Sequence, residues 1–127
     1  TLAEVTESDL RACGIGYRAR SIHKTAQVLR EDPRFLSELA RLPTESARKQ
    51  LVSLPGVGRK IADCVLLFGY GRLESFPIDT WISRHMRTSY QLESLSDDQI
   101  QLFARAHFGS HAGLAQQFLF AQARASS

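Results

Sequence analysis

Cysteine is scarce in this chain, and long apolar runs are absent. The 127 residues include two cysteines, Cys13 and Cys64, which lie far apart and form no CxxC or metal-ligand pattern. These cysteines argue against both a disulfide scaffold and an iron–sulfur cluster, and free thiols suit a reducing compartment. No segment approaches the roughly 20 apolar residues of a membrane span, and a signal-peptide pattern is lacking. We therefore expect a soluble intracellular protein with no membrane partner.

Lysine is scarce as well, because 13 of the 16 cationic residues are arginine. The flat guanidinium fork matches phosphate better than an ammonium group does. The formal charge of +3 therefore permits a nucleic-acid partner without requiring one. Basic residues gather in two clusters, which are Arg18, Arg20, His23 and Lys24, and Arg84, His85 and Arg87. A solvated helical face would show the same pattern.

Alternating strand patterns, internal repeats and low-complexity linkers are also missing. Apolar residues recur instead at helical spacing between Gly and Pro breaks, so we predict one all-α domain over residues 1–127, a multi-helix bundle of seven or eight helices. The predicted helix caps are Thr6, Thr44, Asp79 and Ser96. After Gly58, the spacing of Ile61, Val65 and Phe68 predicts the buried face of a helix.

A short Pro/Gly turn, LPGVGRK at residues 54–60, separates two helical patterns in the middle of the chain. Its two glycines allow backbone N–H groups to face outward at the start of the following helix. The positive end of the helix dipole favours an anion there, and a DNA phosphate fits such a site. The same turn is also an ordinary connector between helices, so it does not decide the function by itself.

The longer run LPGVGRKIADCVLLFGYGRLESFPIDTW resembles the helix-hairpin-helix and Gly/Pro/Asp region of the HhH-GPD superfamily of DNA glycosylases. The resemblance implies a helix-hairpin-helix over about residues 44–69 and a Gly/Pro/Asp loop over about residues 69–79. It assigns DNA-phosphate binding to Gly56, Val57 and Gly58. It also implies a structural Na⁺ or K⁺ on the carbonyls of Val52, Leu54 and Val57. The chemistry itself requires no cofactor.

The resemblance places Lys60 and Asp79 at the centre of the reaction. A lysine at this position marks superfamily members that form a covalent intermediate. Its neutral amine attacks the deoxyribose C1′ as the base departs, and the Schiff base then permits β-elimination of the 3′ phosphate. We expect the helix start and partial burial to favour the neutral amine. The alternative is a solvated lysine, but its charge at a helix start would oppose the helix dipole, which favours a functional role. Asp79 would stabilise positive charge on the sugar and position the amine, while also capping the next helix.

Three further stretches resemble the 8-oxoguanine branch of the superfamily. In GIGYRAR, Tyr17 would wedge into the opened base stack and Arg18 would contact the orphaned cytosine. Cys64 would lie against one face of the flipped base. In GLAQQFLF, Gln116 would read the Watson–Crick edge of that base and Phe120 would stack on it. Core packing or a solvated side chain explains each of these residues equally well when it is taken alone.

The leading hypothesis is a base-excision-repair DNA glycosylase and AP lyase that removes 8-oxoguanine from duplex DNA, in the cytoplasm and nucleoid or in a nucleus. An endonuclease III-like enzyme is an alternative, although that branch usually has a four-cysteine cluster. An alkyl-base glycosylase is another, although that branch usually lacks the lysine. A non-catalytic hairpin module would need the glycines but neither Lys60 nor Asp79. Such enzymes are normally longer, so we expect that an N-terminal segment of this protein's own chain is missing.

Overall fold

A computed structural model describes residues 1–125. Over these residues the chain forms eight α-helices and no β-strand, which confirms the predicted all-α class. The helices are α1 Glu7–Leu10, α2 Arg18–Glu31, α3 Phe35–Leu39, α4 Thr44–Val52, α5 Arg59–Cys64, α6 Thr80–Ser89, α7 Asp97–Phe108 and α8 Ala112–Ala125. π-Helical turns extend α1 and α5, over Arg11–Ile15 and Val65–Gly69, and a 3₁₀ turn at Gly109–His111 precedes α8. The chain divides into two compact units, Thr1–Gly58 and Arg59–Ser127.

Of the two helix caps predicted in the first unit, one is confirmed and one is wrong. The Thr6 hydroxyl accepts the Asp9 N–H at 3.1 Å and Asp9 returns the bond, so the predicted cap of α1 is confirmed. The prediction for Thr44 is wrong, because Thr44 is the first residue of α4 and Pro43 occupies the cap position. The Pro43 carbonyl already accepts the Ala47 N–H at 2.9 Å, so helical hydrogen bonding begins one residue early.

The Pro/Gly turn follows α4 and packs against α2. The Leu54 carbonyl accepts the Val57 N–H at 3.2 Å and closes the turn. The Thr25 hydroxyl on α2 donates to the Pro55 carbonyl at 3.2 Å. Gly56 has a left-handed φ of +74°, and a β-carbon placed there would lie 2.4 Å from the Ser21 Oγ. The turn therefore rests directly on α2, with no room for a side chain at position 56.

The second unit has its core among α6, α7 and α8, which pack against one another. The buried core residues are Phe76, Ile82, Met86, Ile100, Ala104 and Ala112. Phe76 belongs to the non-helical stretch 70–79, called here the Asp79 loop. Hydrogen bonds from α7 and α8 fix this loop, because Gly113 N–H donates to the Leu73 carbonyl at 2.6 Å and Gln101 Nε2 donates to the Phe76 carbonyl at 2.7 Å.

The buried face of α5 and its extension differs from the prediction. Ile61 is 49% exposed and Phe68 is 65% exposed, whereas Ala62 and Leu66 are fully buried. The segment is apolar on most sides, so spacing alone did not define which stripe faces the core. None of the helices within residues 1–125 is both long and apolar enough to cross a membrane.

Candidate functional site

Asp79 ends the Asp79 loop and begins α6. Its backbone is extended, and its Oδ1 accepts the Ile82 N–H at 2.8 Å, so the predicted N-cap is confirmed. Within the described residues, the other carboxylate oxygen accepts no hydrogen bond. The cap therefore holds the carboxylate still while leaving one oxygen available to another group.

Lys60 and Asp79 line one open cavity of about 500 Å³. The remaining lining residues are Ile78, Thr80, Ser83, Arg84, Arg87 and Asp97. The cavity thus has three cationic and two acidic side chains around two hydroxyl groups. Lys60 itself is exposed, so the partial burial expected from the sequence is not seen. The structure brings the two predicted catalytic residues together at a polar, charged cavity.

Arg87 is held rigidly at the cavity wall, whereas Arg84 points along the surface. Arg87 Nη2 donates to the Leu95 carbonyl at 2.9 Å and to Asp97 at 3.1 Å, and Nη1 donates to the Ser83 hydroxyl. The Arg84 guanidinium lies 5.8 Å from the centre of the Trp81 ring. Arg87 is therefore committed to its protein partners, and Arg84 is the more available cation.

Cys64 lies on α5 one turn after Lys60 and is half-buried. Burial raises the pKa of the Cys64 thiol, the charge of Lys60 opposes that rise, and Asp63 and Asp79 add to it. The thiol therefore stays protonated near neutral pH.

Gln116 and Phe120 lie on α8, away from the lining of the Lys60 cavity. Gln116 is buried, and its Nε2 donates to the Pro77 carbonyl at 3.0 Å. Phe120 is partly buried against the core, with the Arg124 guanidinium 5.7 Å from its ring centre. In this structure the Gln116 amide therefore fixes the Asp79 loop, and its Oε1 accepts a hydrogen bond from Gln117 Nε2. Among the described residues, one N–H and one oxygen lone pair of this amide remain unused.

The first unit contains the other predicted DNA contacts. Tyr17 is 77% exposed at the start of α2, and the Arg18 guanidinium lies 5.4 Å from its ring centre. The Val57 N–H donates to the Leu54 carbonyl inside the turn. It is therefore not available to a phosphate, unlike the other two predicted donors. Among the described residues, the N–H groups of Gly56 and Gly58 donate to no acceptor, and they fit an anion better.

The predicted monovalent-cation ligands are the backbone carbonyls of Leu54 and Val57 in the turn and of Val52, the last residue of α4. The Leu54 carbonyl accepts the Val57 N–H, and its second lone pair remains available to a cation. The set of Val52, Leu54 and Val57 consists of carbonyl oxygens, the type of donor that hard cations take. Over residues 1–125 there is no group of three His, Cys, Asp or Glu side chains that could hold a metal ion.

A buried polar cluster next to the cavity was not foreseen from the sequence. Asp63 is fully buried beyond the first turn of α5, where hydrogen bonds hold it. It accepts hydrogen bonds from Ser75 and Gln101. The sequence shows only an acid near a helix start. The cluster itself is not apparent there, because the partners of Asp63 are 12 and 38 residues away.

Similarity to known proteins covers nearly the whole chain. No family model matches the sequence. A Methanothermobacter thermautotrophicus protein named "Probable N-glycosylase/DNA lyase" is 40% identical over 119 residues, 94% of this chain and 38% of that protein. The "N-glycosylase/DNA lyase OGG1" of Arabidopsis thaliana is 33% identical, with 94% and 36% of the two chains covered.

Solved structures give the same result. The Clostridium acetobutylicum 8-oxoguanine glycosylase/lyase, in complex with dsDNA containing cytosine opposite 8-oxoG, matches with a TM-score of 0.91 at 34% identity. The match covers 98% of this chain and 43% of that one. The chain therefore spans about two fifths of the length of these relatives.

Proposed function

We propose a function from one premise: this chain belongs to the 8-oxoguanine branch of the HhH-GPD superfamily of DNA glycosylases. On that basis its residues excise 8-oxoguanine from duplex DNA and then cleave the resulting abasic site. The observation that carries the proposal is the cavity shared by Lys60 and Asp79, in which the carboxylate is fixed by its helix cap. A module that only gripped DNA phosphates would need neither residue.

The chemistry follows from the two side chains. The Lys60 amine forms a bond to the deoxyribose C1′ as the glycosidic bond breaks, and the bonding pair leaves with the base, which is protonated as it departs. The bound amine loses a proton, and its lone pair then expels O4′, which is protonated as the sugar ring opens. The resulting iminium ion withdraws electrons from C2′, so loss of a C2′ proton expels the 3′ phosphate. Asp79 offers a fixed negative charge near the sugar, where positive charge develops. A rigid carboxylate stabilises that charge without reorganising during the reaction.

The remaining predicted contacts form the proposed DNA surface. In the first unit, Tyr17 would fill the gap in the base stack and Arg18 would face the orphaned base. The Gly56 and Gly58 amides would hold a phosphate, and the turn carbonyls would hold Na⁺ or K⁺. In the second unit, Cys64, Gln116 and Phe120 would line the base pocket. The protein would act on damaged DNA inside the cell.

Borohydride trapping tests the proposal directly. Borohydride reduces a Schiff base to a stable amine, so a reacting lysine stays attached to the DNA. The substrates are duplexes with 8-oxoguanine opposite cytosine and duplexes with an abasic site. The proteins are this chain and a chimaera in which it replaces the matching segment of the Clostridium acetobutylicum enzyme. In the chimaera the lysine at position 60 still comes from this chain.

Lys60→Gln is the diagnostic variant, and Lys49→Gln is its matched control. The chain has only three lysines, and Lys49 is exposed on α4 in the first unit. We expect an adduct on both substrates that is lost in Lys60→Gln and kept in Lys49→Gln. Trapping on the abasic duplex alone would reject 8-oxoguanine as the substrate. No adduct from either protein would reject the lyase and favour a phosphate-binding module.

A further inference from the structure

The buried polar cluster joins three separate parts of the second unit. Asp63 on α5 is fully buried, as is Ser75 of the Asp79 loop, and Gln101 on α7 is 4% exposed. Ser75 Oγ lies 3.1 Å from Asp63 Oδ1 and 3.0 Å from the Asp63 carbonyl. Gln101 Nε2 lies 2.6 Å from Asp63 Oδ2. A buried carboxylate is stable only when such donors replace water.

Gln101 makes two hydrogen bonds through one nitrogen atom. Besides Asp63, its Nε2 donates to the Phe76 carbonyl at 2.7 Å, so both amide hydrogens are used. Asp63 lies three residues after Lys60 on the same helix, and Phe76 lies three residues before Asp79. The Gln101 amide therefore adds a second connection, beside the Ser75 hydroxyl, between the helix of the nucleophile and the loop of the carboxylate.

Two further observations separate this amide from ordinary core packing. Its Oε1 is buried and has no hydrogen-bond partner among the described residues, a rare and unfavourable state for an acceptor. Gln101 also lines a small cavity of about 170 Å³ that Lys60 shares. An apolar side chain of similar volume would avoid the unpaired oxygen but would leave buried Asp63 and the Phe76 carbonyl each with one donor fewer, so the two hydrogen bonds of the nitrogen are what the glutamine contributes.

We propose that Gln101 is a positioning residue that sets the distance between Lys60 and Asp79 by holding Asp63 and the Phe76 carbonyl together. The inference rests on the proposed function for its catalytic consequence, although the geometry itself stands without it. Lys60 and Asp79 lie on different elements, and the reaction requires both at one sugar. A shift of about 1 Å between such groups can cost about 100-fold in rate.

The main variant is Gln101→Met, which keeps the length of the side chain and removes both donors. Its matched control is Ile100→Val, a fully buried neighbour on α7 that loses packing and leaves the amide in place. Comparison of the two, with melting temperature measured for each, separates loss of the bridge from general destabilisation. Both are made in a Cys13→Ser background so that Cys64 is the only thiol.

The first readout needs no DNA and no activity. The thiolate of Cys64 is titrated by its rate of alkylation against pH, because the pKa of that thiol is raised by burial and, to a smaller extent, by the nearby charges of Asp63 and Asp79. If Gln101→Met releases the two acids, the pKa of Cys64 falls, and the thiolate fraction at a fixed pH rises about threefold. Ile100→Val should leave it unchanged. An unchanged or raised pKa in folded Gln101→Met would overturn the proposal.

The second readout is the rate of borohydride trapping on abasic DNA, with DNA affinity measured in parallel. We expect Gln101→Met to slow trapping about 10- to 100-fold while the Kd for DNA stays within about twofold. Equal losses in Gln101→Met and Ile100→Val would reject a positioning role. If wild-type protein forms no adduct, the proposed function fails, and the thiol titration still decides the geometry.

A paired exchange covers the case in which Gln101→Met does not fold. In the double variant Gln101→Glu with Asp63→Asn, the new Asn donates to the new carboxylate, so a hydrogen bond between positions 63 and 101 is retained. The Phe76 carbonyl then has no donor, since an ionised Glu has none. We expect this protein to fold and to trap slowly. Trapping at the wild-type rate would contradict the proposal.

Discussion

Asp79 has two uses. It caps the start of α6, and in the proposed reaction its negative charge stabilises the sugar. A carboxylate at an N-cap uses one oxygen for a backbone N–H, here that of Ile82, and keeps the other free. The two uses respond differently to substitution. An asparagine can cap the helix without the charge, whereas an alanine can do neither.

We therefore predict that Asp79→Asn and Asp79→Ala differ in stability and not in activity. Both should lose at least about 100-fold in single-turnover excision, because both remove the charge. Only Asp79→Ala should lose about 1 kcal/mol of folding free energy, measured by thermal denaturation. Ser96→Ala, which removes the cap of α7, is the control that loses stability with activity retained. Activity retained in Asp79→Asn would refute the electrostatic role.

At the residue scale, the sequence predicted those features that local chemistry determines. Asp79 as a cap and the Ser96 capping box needed only neighbours three residues away, and both are confirmed. Gln101 could not be found in this way, because its partners Asp63 and Phe76 are 38 and 25 residues distant. Only the tertiary fold brings these polar atoms together.

At the scale of elements, the Pro/Gly turn depends on α2 as much as on its own glycines. Ser21 and Thr25 are one turn apart on α2 and contact Gly56 and the Pro55 carbonyl. Tyr17, one turn before Ser21, lies on the same side of the helix. The helix that begins with the proposed wedge is thus the support of the proposed phosphate site.

The two glycines of the turn should therefore differ sharply when replaced. Gly56→Ala combines a left-handed φ with a clash against Ser21, so we expect a loss of about 1–3 kcal/mol in unfolding free energy. Gly58→Ala meets open space, and we expect a change below about 0.5 kcal/mol. Urea denaturation of the whole chain measures both. Equal losses would show that α2 does not limit position 56.

Helix types and most boundaries followed from the sequence, whereas the orientation of α5 did not. The prediction chose Ile61 and Phe68 as core residues, and the structure buries Ala62 and Leu66. A helix whose apolar residues occupy most of its circumference gives no single stripe to read. Its burial is decided by what packs against it, which the segment's own sequence does not contain.

At the scale of the whole molecule, the net charge of +3 does not say which cations lie near the Pro/Gly turn. In the first unit, Arg20 and Lys24 are exposed on α2. They immediately precede Ser21 and Thr25, the two residues that contact the turn. Arg30 is exposed on the same helix, ten residues further on, about 15 Å along its axis. Position along one helix therefore distinguishes cations near the turn from a cation far from it.

We predict that DNA binding weakens with salt as phosphate contacts require. For two to four contacts, raising KCl from about 50 to about 200 mM should weaken binding about 10- to 150-fold. Arg20→Gln should reduce the slope of log Kd against log salt by about 0.9, while Arg30→Gln should not. Fluorescence anisotropy on undamaged duplex measures both. A slope change shared by the two variants would refute a phosphate surface centred on the turn.

The boundary between the two compact units was not visible in the sequence. It falls at Gly58, inside the predicted helix-hairpin-helix, where no linker composition marks it. The prediction of a single domain was based on length and on the absence of such a linker. Contact density within each unit depends on pairings between distant residues, which composition does not record.

The Asp79 loop also bears on how the protein is degraded. Proteases bind their substrates as extended chains and need free backbone groups, so a non-helical loop is normally the first place to be cut. Here the carbonyls of Leu73, Phe76 and Pro77 are already occupied by donors from α7 and α8. The loop has the extended backbone of a substrate, but these three carbonyls cannot bind a protease while the donors hold them. Cleavage after Arg72 would therefore require α7 and α8 to separate from the loop. The same contacts that hold Asp79 would then also slow degradation of the protein.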